Sequence, residues 1–138
     1  MNAVMENMTG KIKGKKEKLK QNTALYIRLS REDGDKAESL SVANQRMLLT
    51  KFVESQSDLH LYDVYIDDGY TGTSFARPGF QRMLEDIEAK KVACVIVKDL
   101  SRLGRNMPKV SEYVNEYFPD KKVRFIAVSD GIDRQYYD

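Results

Sequence analysis

Short apolar stretches alternate along this chain with longer stretches in which apolar residues recur at helical spacing. Four of the short stretches have the length and composition of buried strands, at residues 23–29, 61–66, 92–97 and 123–128. Between them lie three amphipathic stretches that predict helices, at residues 42–53, 78–90 and 106–118. Pro78 suits the first turn of the second helix, and Pro119 is expected to end the third. This alternation predicts an α/β fold with a mostly parallel sheet.

Length and composition indicate one globular domain. The chain has 138 residues, of which 41% are hydrophobic and 32% are charged, as is ordinary for globular proteins. The longest apolar run, residues 92–97, is far shorter than the roughly 20 residues that span a bilayer. The single cysteine, Cys94, lies inside this run, where core packing is the favoured interpretation. One cysteine excludes an internal disulfide and favours a cytoplasmic location.

Charge is unevenly distributed along the chain. Residues 1–22 hold six lysines and two glutamates and therefore carry +4, whereas the whole chain carries +2. This segment has few apolar residues and is predicted to be a flexible basic arm. A solvated tail and an arm that contacts DNA both fit its composition. The rest of the chain is slightly acidic, so any nucleic-acid binding there must come from a local cluster of basic residues.

Polar and charged residues follow each predicted strand, where an open α/β sheet has its working crevice. They are Ser30 after the first strand, Asp67, Asp68 and Arg77 after the second, Asp99, Ser101, Arg102 and Arg105 after the third, and Ser129 and Asp130 after the fourth. The carboxyl ends of parallel strands meet at one edge of a sheet. We therefore expect a hydroxyl group, several carboxylates and a group of arginines to gather at that edge.

Arg28 interrupts an apolar strand, where a charged side chain is costly to bury without a partner. The period of two along a strand places Arg28 and Ser30 on the same side. A guanidinium and a hydroxyl would then lie together at the strand end. A structural salt bridge from Arg28 to Asp67 or Asp68 is the alternative.

Two further arginines and one glutamine complete the candidate site. Arg102 and Arg105 are three residues apart, so on a helical turn they would point the same way and offer paired donors to phosphate oxygens. A solvated charged face is the alternative interpretation. Gln45 falls within the apolar stripe of residues 42–53, where the favoured interpretation is that its amide satisfies a backbone carbonyl.

A serine among arginines favours phosphoryl transfer, because the transferred group needs charge stabilisation on its oxygens more than a strong base. Ser30 as nucleophile would form a phosphoserine. His60 is the single histidine, has no nucleophile-elbow motif beside it and is interpreted as a surface loop residue. The proton acceptor for Ser30 stays open between a neighbouring carboxylate and water.

Three motifs resemble those of the serine site-specific recombinases of the resolvase/invertase family. Residues 26–30, Tyr-Ile-Arg-Leu-Ser, resemble the Y-x-R-[VL]-S motif of that family. Residues 68–74, followed by Arg-Pro-Gly-Phe at 77–80, resemble its D-x-G-x-S/T-G and RP-x-[FL] segment. Residues 98–106 resemble its L-[DS]-R-L-x-R signature. The motifs occur in the family's order and together cover residues 23 to about 132, which makes the resemblance specific.

The resemblance implies a resolvase-like three-layer domain with a mostly parallel central sheet of four to five strands flanked by helices. It implies site-specific recombination of double-stranded DNA, without metal, ATP or another cofactor, in a dimer on DNA and a tetramer in synapsis. Ser30 would attack a DNA phosphate and become joined to a 5′ end. The other site residues that it implies are Arg28, Arg77, Arg102 and Arg105 around the phosphate, with Gln45 and Asp68 in support.

Two features depart from the small resolvases. Ser101 stands where the family commonly has an aspartate, so that the carboxylate must be dispensable or replaced, for example by Asp99. The charged insertion at residues 31–40 resembles the large transposon-type members. Residues 23–138 are assigned to the catalytic domain, and the chain is expected to be truncated before an interface helix and DNA-binding domains.

Two other functions compete with this interpretation. A magnesium-dependent nuclease or phosphatase would use Asp67, Asp68 and Asp99 as ligands, and a chelator would abolish its activity. A regulatory domain that keeps the fold without catalysis would retain its biological activity after replacement of Ser30.

Overall fold

The structure, a computed structural model, describes residues 19–30 and 41–135. The insertion at 31–40 and most of the basic arm lie outside the described residues. The strands are β1 (Gln21–Leu29), β2 (Leu59–Asp68), β3 (Cys94–Val97), β4 (Arg124–Ala127) and β5 (Ile132–Arg134). The helices are α1 (Val42–Glu54), α2 (Pro78–Glu88), α3 (Leu100–Leu103), α4 (Met107–Glu112) and α5 (Phe118–Asp120), with a π-helical turn (Tyr113–Tyr117) between α4 and α5.

The five strands form one sheet in the order β2-β1-β3-β4-β5. The pairs β2–β1, β1–β3 and β3–β4 are parallel, and β5 is antiparallel to β4. The predicted mostly parallel sheet is therefore confirmed. The carboxyl ends of β1 to β4 lie along one edge of this sheet. β1 begins earlier than predicted, since Gln21 and Asn22, assigned to the arm, pair with Leu59 and His60. His60 thus lies exposed in a strand and not in a loop.

Helices cover both faces of the sheet, as the three-layer prediction requires. On one face, Leu25 and Ile27 of β1 pack in one cluster with Leu49 and Val53 of α1. On the other face, Tyr26 packs with residues of α2 and α5 in a larger cluster. Each core thus takes alternate residues of β1, as a two-sided strand requires. Among the described residues, no helix is long and apolar enough to cross a membrane.

The sequence predicted that Pro119 ends the helix that begins at Met107. The helical segment instead continues through Pro119 to Asp120. The chain stays helical to Asp120 because the turn Tyr113–Tyr117 is π-helical, with the Phe118 N–H bonded to the carbonyl of Tyr113. A proline inside a regular α-helix clashes with the carbonyl four residues earlier. The wider turn accommodates the Pro119 ring, so that Phe118 can enter the core at 0% exposure.

Cys94 is expected to be unreactive while the domain is folded. Its side chain is fully buried, and burial raises the pKa of the thiol to about 12 from an ordinary 9.0. The thiolate, which is the reactive form, is therefore withheld at neutral pH. We expect no labelling of Cys94 by a disulfide reagent at pH 8 and rapid labelling in guanidinium chloride. Rapid labelling of the native protein would contradict the burial of this thiol.

The same thiol makes stability depend on alkaline pH. Above about pH 9 the unfolded chain releases the Cys94 proton, whereas the folded chain keeps it until about pH 12. The free energy of unfolding should therefore fall as the pH rises through this window. Urea titrations at pH 8 and pH 10 check the slope, and Cys94→Ala should reduce it.

Arg124 anchors the end of the sheet opposite to the carboxyl edge. Its guanidinium donates to the carboxylate of Asp133 at 2.9 and 2.7 Å, to Asp58 at 2.9 Å and to the side-chain oxygen of Gln21 at 3.1 Å. These bonds join β4 to β5, to the start of β1 and to the turn before β2. Hydrogen bonds to Asp133, the largest influence, raise the pKa of Arg124 above its ordinary value.

Replacing Arg124 with leucine should lower the free energy of unfolding by about 1–2 kcal/mol, because three polar partners lose their donor. The figure is modest because the carboxylates of Asp58 and Asp133 are 43% and 44% exposed and can be hydrated. Lys109→Leu is the control, since its pair with Glu112 is half exposed and should contribute at most about 0.5 kcal/mol. Equal midpoints for both variants in urea would contradict an anchoring role for Arg124.

Candidate active site

Ser30 follows β1 directly, at the carboxyl edge of the sheet, and is 7% exposed. The preceding carbonyl, of Leu29, accepts a hydrogen bond from Gly69 in the loop that joins β2 to α2 (the β2–α2 loop, residues 69–77). This hydrogen bond fixes the backbone just before Ser30 at the end of a central strand, beside the β2–α2 loop. Its position at the rim of the buried sheet agrees with the sequence prediction.

Arg28 is fully buried and donates hydrogen bonds to backbone carbonyls of one loop and of helix α3. Its Nε donates to the carbonyl of Arg102 at 3.3 Å, Nη1 to that of Tyr70 at 3.0 Å and Nη2 to that of Ser101 at 2.5 Å. One guanidinium therefore joins β1, the β2–α2 loop and α3. Carbonyl oxygens that accept from a buried guanidinium offset part of the cost of removing its charge from water.

The backbone carbonyl of Arg28 is a second point of convergence. Nη1 of Arg102 donates to it at 3.1 Å and Nε2 of Gln45 at 3.2 Å. Both side chains are buried, Gln45 at 0% and Arg102 at 2% exposure. The prediction that Gln45 satisfies a backbone carbonyl is confirmed. Strand β1, α1 and α3 therefore meet two residues before Ser30.

Arg102 and Arg105 do not share a helical face, so that part of the sequence interpretation is wrong. Helix α3 ends at Leu103, and Gly104 is extended, with φ of 176°. Arg102 points into the domain, whereas Arg105 is exposed. The backbone N–H of Arg105 donates to the carbonyl of Gly72 at 2.7 Å, which ties this arginine to the β2–α2 loop.

Gly72 lies between two of the arginines. A Cβ atom at this position would be 2.9 Å from Nη2 of Arg28 and 2.8 Å from Cγ of Arg105. Both distances are shorter than real contacts of a Cβ atom. The β2–α2 loop can therefore lie against Arg28 only because residue 72 has no side chain. Gly69, at the start of the loop, has φ of +92° and needs glycine for its backbone conformation.

Arg77, which was predicted to contact the phosphate, is 1% exposed and is covered by the β2–α2 loop. It donates from Nε to the carbonyl of Ser74 at 2.7 Å, from Nη1 to the Tyr26 hydroxyl at 2.7 Å and from Nη2 to the carbonyl of Leu103 at 2.8 Å. Its guanidinium also lies 4.5 Å from the centre of the Phe75 ring. These contacts brace the β2–α2 loop against β1 and the end of α3.

Asp67 caps helix α2 from the end of β2. Its carboxylate accepts hydrogen bonds from the N–H groups of Gly79 at 2.8 Å and Phe80 at 2.9 Å, and from the hydroxyl of Tyr26 at 2.7 Å. The sequence offered a salt bridge from Arg28 to Asp67 or Asp68 as the alternative, but the described partners of Arg28 are backbone carbonyls and not these carboxylates. Burial raises the pKa of Tyr26 above its ordinary value, so the hydroxyl stays protonated between Asp67 and Arg77.

Sequence reasoning missed the part that Tyr26 and Asp67 take in this network. Asp68, which was predicted to support catalysis, is exposed at the end of β2, whereas Asp67 is buried. The period of two in β1 carries the missed signal, because Tyr26 shares the side of Arg28 and points at the same polar centre.

The magnesium alternative lacks its ligand set in the part of the chain that the structure describes. No three Asp, Glu, His or Cys side chains there lie close enough together to hold a metal ion. Asp67 is engaged in capping α2, Asp68 is exposed, and Asp99 caps α3. Two of the three carboxylates therefore cap different helices, α2 and α3, and the third is exposed at the end of β2.

Several known proteins are similar to this chain in sequence and in fold. The family described as Resolvase, N terminal domain, matches residues 23–137. The N-terminal catalytic domain of TP901-1 integrase is 32% identical, with a TM-score of 0.73 and coverage of 82% of this chain and 81% of that chain. A resolvase family site-specific recombinase from Streptococcus pneumoniae is 34% identical, with a TM-score of 0.67 and coverage of 84% and 76%. No curated protein sequence matches the chain.

Proposed function

The chain belongs to the resolvase family of serine site-specific recombinases, and we propose that Ser30 is the nucleophile with which it breaks and rejoins DNA. Recombination at DNA sites is the activity of this family, and a phosphoserine link between protein and DNA is characteristic of it. The observation that carries the proposal for Ser30 is its place at the end of β1, beside the carbonyl of Arg28 on which Gln45 and Arg102 converge.

In the proposed reaction the Ser30 hydroxyl attacks the phosphorus of a DNA backbone phosphate. The bond from phosphorus to Oγ forms as the bond from phosphorus to O3′ breaks, and the serine proton ends on the released 3′ hydroxyl. One phosphodiester replaces another, so the balance requires neither ATP nor an external oxidant or reductant. Attack by a 3′ hydroxyl from a partner strand reverses the step and completes the exchange.

The arginines divide into an exposed one and buried ones. Arg105 is exposed and is proposed to meet the phosphate first, with a fork of donors that suits its oxygens. Arg28 and Arg102 are proposed to contact the phosphate once DNA displaces the backbone carbonyls to which they now donate. Arg77 is proposed to act by holding the loop and α3 in place. Asp68 keeps a supporting role, as an exposed carboxylate that can accept a proton at this edge.

The family acts on DNA sites, generally as oligomers. For this chain we propose a dimer on each double-stranded site and a tetramer when two sites are joined, since exchange needs four strand breaks. Residues 23–138 are proposed as the catalytic domain of a mobile-element recombinase. A cytoplasmic location fits a DNA substrate and a single reduced cysteine.

A trapped adduct tests the proposal. The full chain is joined to a DNA-binding domain of known target, which presents neighbouring phosphates at high local concentration. Duplexes with a nick at successive positions let the short strand that carries the new 3′ hydroxyl diffuse away, so rejoining fails. In EDTA we expect a covalent adduct on a denaturing gel, with the nucleotide mapped to Ser30 by peptide mass spectrometry.

Cleavage that requires Mg²⁺ and leaves no adduct would return the chemistry to the carboxylates and refute the proposal. An adduct that maps to another hydroxyl would refute the assignment of Ser30 alone. Unchanged biological activity of Ser30→Ala would instead favour the regulatory interpretation of this domain.

A further inference from the structure

The carboxylate of Asp99 is surrounded by donors of the residues beside it in the chain. Its Oδ1 accepts a hydrogen bond from the hydroxyl of Ser101 at 2.6 Å and from the backbone N–H of Arg102 at 3.1 Å. The same oxygen lies 3.6 Å from Nε of Arg102, and Oδ2 lies 3.6 Å from Nζ of Lys98. Asp99 is thus both the N-cap of α3 and an ion-pair partner of the arginine within it.

The guanidinium of Arg102 is oriented on three sides. Asp99 faces Nε, the hydroxyl of Ser101 lies 3.4 Å from Nη2, and the carbonyl of Arg28 accepts from Nη1 at 3.1 Å. The side chain of Arg102 is 3% exposed and that of Asp99 is 22% exposed. A buried guanidinium without a nearby carboxylate would carry an uncompensated charge, which favours rotation toward solvent.

The carboxylate holds its charge in this position. Burial on its own raises the pKa of Asp99, but the hydrogen bond from Ser101, the charge of Arg102 and the backbone N–H together hold that pKa below its ordinary value. Asp99 therefore stays ionised at neutral pH and accepts a hydrogen bond from the Ser101 hydroxyl. Because the Ser101 hydroxyl donates to Asp99, its oxygen can accept from Nη2 of Arg102, which lies 3.4 Å away.

We propose that Asp99 is a positioning residue for Arg102 and acts in part through the hydroxyl of Ser101. A carboxylate at position 101 itself would reach the guanidinium directly; this chain divides that task between a serine and the aspartate two residues before it. The inference rests on the proposed function, in which Arg102 stabilises the phosphate under attack. In this proposal Asp99 acts through the Arg102 guanidinium and not on the reacting atoms.

Asp99→Asn is the informative variant, because asparagine keeps the shape and the capping acceptor but removes the charge. We expect the rate constant of adduct formation to fall about 10- to 100-fold, as for other outer partners that orient a reactive group. DNA affinity should change little. Asp130→Asn is the matched control, since Asp130 also binds the N-terminus of α3, at the N–H of Leu100 at 2.7 Å, with no bond to Arg102.

A rescue variant separates orientation of Arg102 from loss of helix α3. Asp99→Asn combined with Ser101→Asp returns a carboxylate to the guanidinium, and the rate should recover to within a few fold of the original protein. The side-chain Nε–H signal of Arg102 in a ¹H–¹⁵N spectrum should move in Asp99→Asn and return in the double variant. These spectra need no DNA, so they report on Asp99 even if the assignment of Ser30 fails.

An unchanged rate in Asp99→Asn, while Ser30→Ala removes the adduct, would overturn this inference and leave the proposed function intact. Equal losses in Asp99→Asn and Asp130→Asn would overturn it too, because the effect would then belong to the helix cap. A rate that stays low in the double variant would also count against a role of the negative charge.

Discussion

Ser30→Ala is expected to abolish covalent attachment to DNA, lowering adduct formation by about 10³-fold or more. The substitution removes the only atom that becomes bonded to phosphorus in the proposed reaction. Ser30 lies at the end of β1 and outside both apolar clusters, so the free energy of unfolding should change by no more than about 1 kcal/mol. Binding of the nicked duplex by the fused protein should persist, because the arginines stay in place.

Ser129→Ala is the matched control for this experiment. Ser129 is an exposed hydroxyl after β4, at the same edge of the sheet, and its loss should leave the adduct yield unchanged. Circular dichroism and a thermal melt of each variant check that the fold is retained. A normal adduct yield in Ser30→Ala would falsify the nucleophile assignment, even though membership of the family would stand.

The layout of the sheet could be predicted from the sequence because it depends on local hydrophobic pattern. Each of the four predicted apolar stretches overlaps one of the strands β1 to β4, and each predicted helix starts within a residue of its observed start. The ends are less certain, and Pro119 shows why. Its local preference to end a helix yields to the burial of Phe118, which a π-helical turn makes possible. Such a compromise depends on tertiary packing that no local pattern contains.

The location of the candidate site at one edge of the sheet could be predicted, but the burial of each arginine there could not. Because the carboxyl ends of parallel strands share one edge, the sequence alone predicts that Arg28, Ser30 and Arg102 lie together. It could not tell that Arg77 and Arg102 point inward and Arg105 outward, because depth depends on backbone turns such as the extended Gly104. Arg77, which was expected at the phosphate, is 1% exposed and donates to the β2–α2 loop, to Tyr26 and to the end of α3.

Residues whose partners are distant in sequence escaped prediction altogether. Asp67 caps a helix that begins eleven residues later and accepts a hydrogen bond from Tyr26 in the neighbouring strand. Arg124 donates to Gln21 and Asp58 at the end of the sheet opposite to the candidate site. From the sequence, Asp67 was a candidate partner of Arg28 or a candidate metal ligand, and Arg124 had no assigned role. Their pairing follows only when the order and register of the strands are known.

Gly72→Ala is the second variant for which we expect a large loss, about 10- to 100-fold in the rate of adduct formation. The new methyl group would lie 2.9 Å from Nη2 of Arg28, closer than real contacts of a Cβ atom, and 3.1 Å from its Cζ, which is a tight contact. Arg105 is exposed and can move aside, but Arg28 is fully buried and held by three carbonyls. Either the Arg28 guanidinium shifts or the β2–α2 loop lifts, and both change the geometry around Ser30.

Gly69→Ala separates this steric effect from a general weakening of the loop. Its Cβ would meet open space, but φ of +92° is strained for alanine and should cost about 1 kcal/mol of stability. We therefore expect Gly69→Ala to melt earlier and still form adduct at a rate much nearer the original than Gly72→Ala. Equal rate losses in the two variants would mean that catalysis needs the loop as a whole. A loss confined to Gly72→Ala, with a normal melting temperature, would tie catalysis to the placement of Arg28 and Arg105.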